Sequence, residues 1–135
     1  MLVIDTSAAL PWIFKDEVTP ESDRLFERIA VDGANVPAVF PLEIANVLAQ
    51  AERRKRVTQD YSTERLAVLA QLRIVVDAPS IGRAWSETIA LARAERLTAY
   101  DAAYLQLAMR LGLPLATLDG DLAAAASRRG VTVLP

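Results

Sequence analysis

The chain has 135 residues, which is the length of one ordinary domain and enough to bury a hydrophobic core. Hydrophobic residues make up 53% of the sequence, charged residues make up 24% and the formal net charge is −2, so the composition excludes a disordered or low-complexity chain. The absence of cysteine and histidine excludes disulfides, thiolate chemistry and histidine general bases, so any reaction must use oxygen and cationic nitrogen groups.

The sequence carries no signal for a membrane or for export. It opens on Met-Leu-Val-Ile without a basic stretch or a cleavage site, and no apolar run reaches the ~18 residues of a membrane span. No linker or repeat divides the chain. We therefore expect a single soluble domain over residues 1–135, located in the cytoplasm.

Short apolar runs alternate with helical patterns along the whole chain. Such continuously apolar strands are typical of a parallel sheet that helices cover on both faces, so we expect an α/β fold in three layers. Ser80 and Thr98 are predicted helix caps. In chain order, the sequence predicts a strand at 2–4, helices from 7 and over 20–30, a strand at 34–36, helices over 41–54 and 58–72, a strand at 73–76, helices over 80–94 and from 98, a strand at 115–118, a helix from 121 and a strand at 131–134.

Apolar spacing identifies candidate core residues. It assigns Leu66, Leu69 and Ala70 to the buried side of their helix, and Trp85 is assigned to the core. The two N-terminal helices carry an apolar, aromatic group for which core packing is the default explanation, although part of it could form an exposed interface. This group consists of Trp12, Ile13, Phe14, Leu25, Phe26 and Ile29.

Four acidic residues lie where a parallel sheet would bring them together. Asp5 follows the first predicted strand and Asp119 follows the fourth, so both lie at the carboxyl edge where such sheets bind ligands. Glu43 lies in the first turn of the helix after the second strand, and Asp101 in the first turn of the helix before the fourth. The sequence therefore predicts four converging carboxylates.

The surroundings of these acids favour a site. The helix that bears Asp101 is apolar nearly all round, so its carboxylate needs a partner, and the candidates are a cap at Thr98 or a bound cation. Asn46 extends the polar strip that begins at Glu43. Taken singly, each acid is better explained as a helix cap or a solvated surface charge. Only the set of four favours a ligand site.

Converging carboxylates repel one another, and a proton or a metal ion must relieve the repulsion. With no histidine or cysteine available, an all-oxygen site selects Mg²⁺ or Mn²⁺, and these ions suit phosphate chemistry. Ser7 and Thr117 flank Asp5 and Asp119 and could orient a water molecule, although Ser7 could equally cap the first helix.

Four sequence motifs resemble those of a known family. They are Val-Ile-Asp-Thr-Ser-Ala at 3–8, Pro-Leu-Glu-Ile-Ala-Asn-Val-Leu at 41–48, Leu-Thr-Ala-Tyr-Asp-Ala-Ala-Tyr-Leu-Gln-Leu-Ala at 97–108 and Leu-Pro-Leu-Ala-Thr-Leu-Asp at 113–119. In this order, they resemble the PIN-domain ribonucleases and, within them, the VapC-type toxins of bacterial toxin–antitoxin pairs. The resemblance covers nearly the whole chain.

The resemblance implies a PIN-like α/β/α sandwich around a mostly parallel five-stranded sheet, with the first and fourth strands side by side. The third strand would lie at an edge, which leaves Asp77 outside the site. Asp121 would be a fifth metal ligand, or else a helix cap. The Mg²⁺ or Mn²⁺ ligands implied by the family are Asp5, Glu43, Asp101 and Asp119.

The resemblance also implies an endoribonuclease that acts on RNA, a homodimer and a cognate antitoxin that lies across the N-terminal helices and blocks the metal site. The net charge does not exclude RNA, because setting four acids aside for a metal leaves basic residues in slight excess. The basic run at 53–56 is either a solvated helix end or a track for phosphates.

Two other functions are compatible with the acidic residues. One is a non-catalytic binding module whose acidic pocket captures a basic peptide or an ion. The other is a phosphate-receiving protein with Asp5 as the nucleophile, but the only two lysines, Lys15 and Lys55, are not placed for that chemistry.

Overall fold

The computed structural model describes residues 1–135 as a five-stranded sheet with helices on both sides. The strands are β1 (Leu2–Ile4), β2 (Ala34–Pro37), β3 (Ile74–Asp77), β4 (Leu115–Ala116) and β5 (Val133–Leu134). Their order is β3-β2-β1-β4-β5, and every neighbouring pair is parallel. The predicted fold is confirmed, including the central pair β1–β4 and the edge position of β3.

Eight helices connect and cover the strands. No helix combines the length and the apolar character needed to reach across a lipid bilayer. Two short 3-10 turns at Leu10–Trp12 and Lys15–Glu17 and one π turn at Ala84–Thr88 complete the structure. The helices are α1 (Thr6–Ala9), α2 (Pro20–Asp32), α3 (Phe40–Arg53), α4 (Gln59–Gln71), α5 (Pro79–Gly82), α6 (Ile89–Glu95), α7 (Ala99–Leu111) and α8 (Gly120–Arg128).

The core is centred on β1, whose three residues are completely buried between the two helical layers. The N-terminal aromatic group belongs to this core, as predicted. Trp12 packs edge-to-face on Phe26 with ring centroids 5.4 Å apart, and its indole N–H donates to the carbonyl of Ser22 at 3.0 Å. These aromatic side chains therefore offer little surface to a partner.

The helix predicted over 80–94 is interrupted, which corrects two expectations. The chain forms α5, a π turn and α6 instead of one helix. Ser80 does not cap a helix, because its hydroxyl donates to the carbonyl of Asp77 at 2.7 Å and accepts from the N–H of Ala38 at 2.9 Å. The π turn changes the helical phase, so Trp85 is 96% exposed and its assignment to the core is wrong.

The buried face of α4 is narrower than its apolar spacing predicts. Leu69 is buried, but Leu66 is 44% exposed and Ala70 is also exposed. The reason is that α4 also contacts the rest of the protein through polar side chains on another side of the helix, which donate hydrogen bonds to backbone carbonyls. The Tyr61 hydroxyl donates to the carbonyl of Ile13, and Arg65 Nε donates to the carbonyl of Trp12 at 3.0 Å.

Gly33 and Gly112 both adopt a positive φ, but only Gly33 has a close neighbour at the position of a Cβ. Gly33 has φ +78°, and a Cβ there would lie 2.9 Å from the carbonyl oxygen of Arg73, whereas Gly112 has φ +64° and open space around it. We expect Gly112→Ala to lower the free energy of unfolding by about 1 kcal/mol and Gly33→Ala to lower it by about 2–4 kcal/mol. Urea unfolding measures both changes.

Gly82→Ala is the matched control, since this helical glycine has an ordinary φ and no neighbour within 4 Å of the added carbon. This variant should be neutral or slightly stabilised. Equal losses at Gly33 and Gly112 would contradict the steric argument.

Candidate active site

Asp5 lies at the carboxyl end of β1 and is only 4% exposed. Its Oδ2 accepts hydrogen bonds from the hydroxyl of Ser7 at 2.5 Å and from the hydroxyl of Thr117 at 2.9 Å. Burial raises the pKa of the Asp5 carboxyl, and the hydrogen bonds counteract part of that rise. Ser7 lies inside α1 and so does not cap it.

Pairing of β1 with β4 brings Asp119 beside Asp5. The N–H of Asp5 donates to the carbonyl of Ala116 at 2.9 Å, which continues the strand ladder past the last paired residues. The Thr117 hydroxyl accepts from the N–H of Asp119 at 3.0 Å. The Ser7 hydroxyl accepts at 2.9 Å from the N–H of Leu118, which lies between Thr117 and Asp119. The hydroxyls of Ser7 and Thr117 therefore connect the end of β1 to the loop that follows β4.

Asp119 is the residue that caps α8. Its Oδ1 accepts from the N–H of Leu122 at 2.8 Å, while its Oδ2 has no hydrogen-bond partner within the chain. The helix begins at Gly120, one residue earlier than the sequence predicts. Asp121 therefore does not cap the helix; it lies exposed in the first turn without a hydrogen bond or an ion pair.

Glu43 occupies the first turn of α3 and is half-buried. Its Oε1 accepts from the Tyr104 hydroxyl at 2.5 Å and from the Thr6 hydroxyl at 3.2 Å. Burial raises the pKa of Glu43, the two hydroxyl bonds lower it, and the negative charge of Asp5 raises it further. Asn46 lies one turn further along α3, is exposed and makes no hydrogen bond to these acids.

Asp101 shows that the four acids share one electrostatic environment. Thr98 caps α7 by accepting from the N–H of Asp101 at 3.1 Å, as the sequence predicts. Burial raises the pKa of the Asp101 carboxyl to about 6, with further contributions from the negative charges of Asp5, Asp119 and Glu43. The other three acids named from the sequence are therefore near enough to influence the pKa of Asp101.

The donor chemistry at this edge suits a hard divalent cation, because the free atoms are carboxylate oxygens. Glu43 Oε2 and Asp119 Oδ2 are both unused by hydrogen bonds within the chain. As the side chains stand, no group of three or more acids is close enough to hold an ion. Binding would therefore require these side chains to draw together.

The acid at the end of the edge strand lies outside the site, as expected. Asp77 ends β3 and forms an ion pair with Arg110 of α7. Arg110 is the only arginine on α7, and this ion pair occupies it. No basic side chain therefore forms an ion pair with Asp101.

Two contacts of the site were not predicted from the sequence. Tyr104 is completely buried, and both it and Thr6 bind the Glu43 carboxylate. A signal was present: Tyr104 lies three residues after Asp101 on an apolar helix, and a buried tyrosine hydroxyl requires a partner. Its partner lies on another helix, so spacing alone does not identify it.

Comparison with known proteins identifies the family of the chain. The PIN domain family matches residues 2–127 of the chain. Ribonuclease VapC3 of Pyrobaculum aerophilum is 31% identical over 125 residues, which cover 90% of this chain and 92% of that protein. Ribonuclease VapC12 of Mycobacterium tuberculosis is 31% identical over 128 residues, which cover 91% and 90%. The chain belongs to the PIN-domain family, and its resemblance to the VapC-type members is confirmed.

Crystal structures show the same fold. PAE2754 from Pyrobaculum aerophilum superimposes with a TM-score of 0.72 and 23% identity, covering 98% of this chain and 87% of that one. FitAcB from Neisseria gonorrhoeae superimposes with a TM-score of 0.68 and 18% identity, covering 100% and 97%. At these identities the likeness concerns the fold.

The raised pKa of Asp101 predicts that its ionisation destabilises the protein when no metal is bound. With a folded value of about 6 and an ordinary value of 3.8, the unfolded chain loses this proton first, so stability falls as the pH rises between these values. In EDTA, we expect Asp101→Asn to stabilise the protein at pH 8 by about 1 kcal/mol after allowance for solvent screening, and by less at pH 4.

Thermal unfolding at the two pH values measures this difference. Asp121→Asn is the matched control, because this exposed carboxyl lies at the same edge and its replacement should change the free energy of unfolding by less than about 0.5 kcal/mol. An Asp101→Asn variant that gains no stability at pH 8 would contradict the electrostatic argument.

Proposed function

We propose that the chain is an endoribonuclease that depends on Mg²⁺ or Mn²⁺ and forms the toxin component of a VapBC-type toxin–antitoxin pair. The observation that carries this proposal is the hydroxyl network around Asp5, in which Thr117 links Asp5 to Asp119 and Thr6, the neighbour of Asp5, binds Glu43. The negative charges of these three acids also raise the pKa of Asp101. Membership of the PIN-domain family and the two relatives named as ribonucleases support RNA as the substrate.

In this proposal, Asp5, Glu43, Asp101 and Asp119 hold the ion, and Asp121 is available as a fifth ligand. A divalent ion held there would acidify water and offset negative charge on the phosphate during hydrolysis. Ser7 and Thr117 both donate to one oxygen of Asp5, which fixes the orientation of its carboxylate.

The basic run at 53–56, at the end of α3, supplies fewer free cations than its sequence indicates. Arg56 forms ion pairs with Asp16 and Glu17, both at 3.1 Å, and its guanidinium lies 3.7 Å from the ring centroid of Phe14. Arg56 therefore stabilises the fold. The other three cations, at 53–55, are exposed and form no ion pair, so they remain available to phosphates or to solvent.

Cleavage of a mixed, structured RNA pool tests the proposal. We expect cleavage with Mg²⁺ or Mn²⁺, none with EDTA, and a loss of at least about 100-fold in Asp5→Asn and Asp101→Asn, because each variant removes a negatively charged ligand. Asp77→Asn is the matched control, since this strand-end carboxylate pairs with Arg110 outside the site and its variant should still cleave.

Cleavage that survives in EDTA or in Asp5→Asn would contradict the proposed mechanism. If the purified chain binds a divalent ion or a basic peptide but never cuts RNA, the acidic site belongs to a binding module. Circular dichroism on each variant separates loss of chemistry from loss of fold.

We further propose that the chain acts in the cytoplasm as a homodimer, with a cognate antitoxin that covers the acidic edge. The N-terminal aromatic side chains lie in the core or pack against it, so they leave little surface for a dimer contact. The edge strand β3 and the segment after it expose Val75, Val76, Ile81 and Trp85, and exposed apolar clusters that contain tryptophan are typical of interfaces. We place the dimer contact there.

Light scattering should give a mass near twice that of the 14.7 kDa chain, and Trp85→Ser should shift the protein towards the monomer. Val31→Ser is the matched control, because it replaces an apolar side chain that is also highly exposed, at 83%, but lies on α2 and outside this cluster. A monomer at all concentrations would contradict the dimer, and a Trp85→Ser dimer would contradict the assigned contact.

A further inference from the structure

Tyr104 connects the helix of Asp101 to the carboxylate of Glu43. Its side chain is 0% exposed, and its hydroxyl donates to Glu43 Oε1 at 2.5 Å. The Thr6 hydroxyl lies 2.8 Å from the Tyr104 oxygen and 3.2 Å from the same carboxylate oxygen. Each hydroxyl has a single proton, so Tyr104 donates its proton to Glu43 Oε1, while Thr6 shares its proton between the Tyr104 oxygen and the same carboxylate oxygen.

These bonds restrict a side chain that is otherwise free to turn away. Glu43 is half-buried, carries no ion pair and has three rotatable side-chain bonds, so an unrestrained carboxylate would lose conformational entropy when it binds an ion. Both hydroxyls bind Oε1, which leaves Oε2 without a partner within the chain. The arrangement selects one orientation of the carboxylate and keeps one of its oxygens available.

We propose that Tyr104 is a positioning residue that holds the Glu43 carboxylate ready for a divalent cation, with Thr6 supporting the Tyr104 hydroxyl. This inference rests on the proposed function, since it concerns the ion that the four acids would bind. Tyr104 binds Oε1 of the Glu43 carboxylate and is not itself a ligand of the ion. Residues that orient metal ligands in this way typically alter ion affinity by 10- to 100-fold when replaced.

Calorimetric titration of the metal-free protein with Mn²⁺ tests the inference without any RNA. Tyr104→Phe removes only the hydroxyl, and we expect it to weaken Mn²⁺ binding by about 10- to 100-fold. In cleavage assays, the Mn²⁺ concentration for half-maximal rate should rise by a similar factor, while kcat at saturating Mn²⁺ stays within a few-fold of the wild type.

Tyr61→Phe is the matched control. This tyrosine also donates its hydroxyl to an oxygen of the chain, the carbonyl of Ile13, but it lies on α4 and makes no contact with the acids. Its removal costs one hydrogen bond of the fold and should leave Mn²⁺ affinity unchanged. Equal weakening in Tyr61→Phe and Tyr104→Phe would show a general structural effect and would overturn the inference.

Thr6 provides a second, independent test should Tyr104→Phe fold poorly. Thr6→Val removes the supporting hydroxyl at nearly constant volume and should weaken Mn²⁺ binding, whereas Thr6→Ser keeps a hydroxyl and should restore it. Wild-type affinity in both Thr6→Val and Tyr104→Phe, alongside weakened binding in Glu43→Gln, overturns the positioning role and leaves the proposed function intact. A wild-type protein that neither binds Mn²⁺ nor cuts RNA overturns both.

Discussion

The parallel pairing of β1 with β4 is the constraint on which the acidic edge depends. The register sets Val3 beside Leu115 and Ile4 beside Ala116, so both strands end at the same level and each is followed by an acid. A slip of one residue would turn Asp5 and Asp119 to different faces of the sheet and separate them. β1 is wholly apolar and completely buried, so its side chains pack against both helical layers in this register.

Placing carboxylates at this edge costs stability. Burial raises the pKa of Asp5, Glu43 and Asp101, so the folded state holds charges that water would solvate better. The surrounding core offsets that cost, since β1 and the middle of α7 are completely buried. Such a local loss of stability is common where a fold carries a functional site.

Much of the fold and of the acidic edge is predictable because it depends on local sequence. Asp5 follows β1 directly, Asp119 follows β4 after two residues, and Thr98 caps α7 three residues before an acid, so their positions in the chain are enough to predict where they lie. Other features depend on the phase and docking of whole helices. The exposure of Trp85 follows from a π turn, and the contact between Tyr104 and Glu43 requires the relative rotation of α7 and α3. The spacing of apolar residues predicts neither the π turn nor the relative rotation of the two helices.

The site also shows how carboxylates can be oriented without losing their charge. Ser7 and Thr117 hold Asp5, while the hydroxyls of Thr6 and Tyr104 hold Glu43, and all four groups are neutral donors. An arginine or lysine would fix a carboxylate more strongly, but it would also cancel the negative charge that attracts a cation. No basic side chain forms an ion pair with the four acids, whose members are Asp5, Glu43, Asp101 and Asp119. The arginine of α7 is instead held by the acid at the end of β3. Neutral hydroxyls therefore provide orientation, and the full negative charge remains available to a divalent ion.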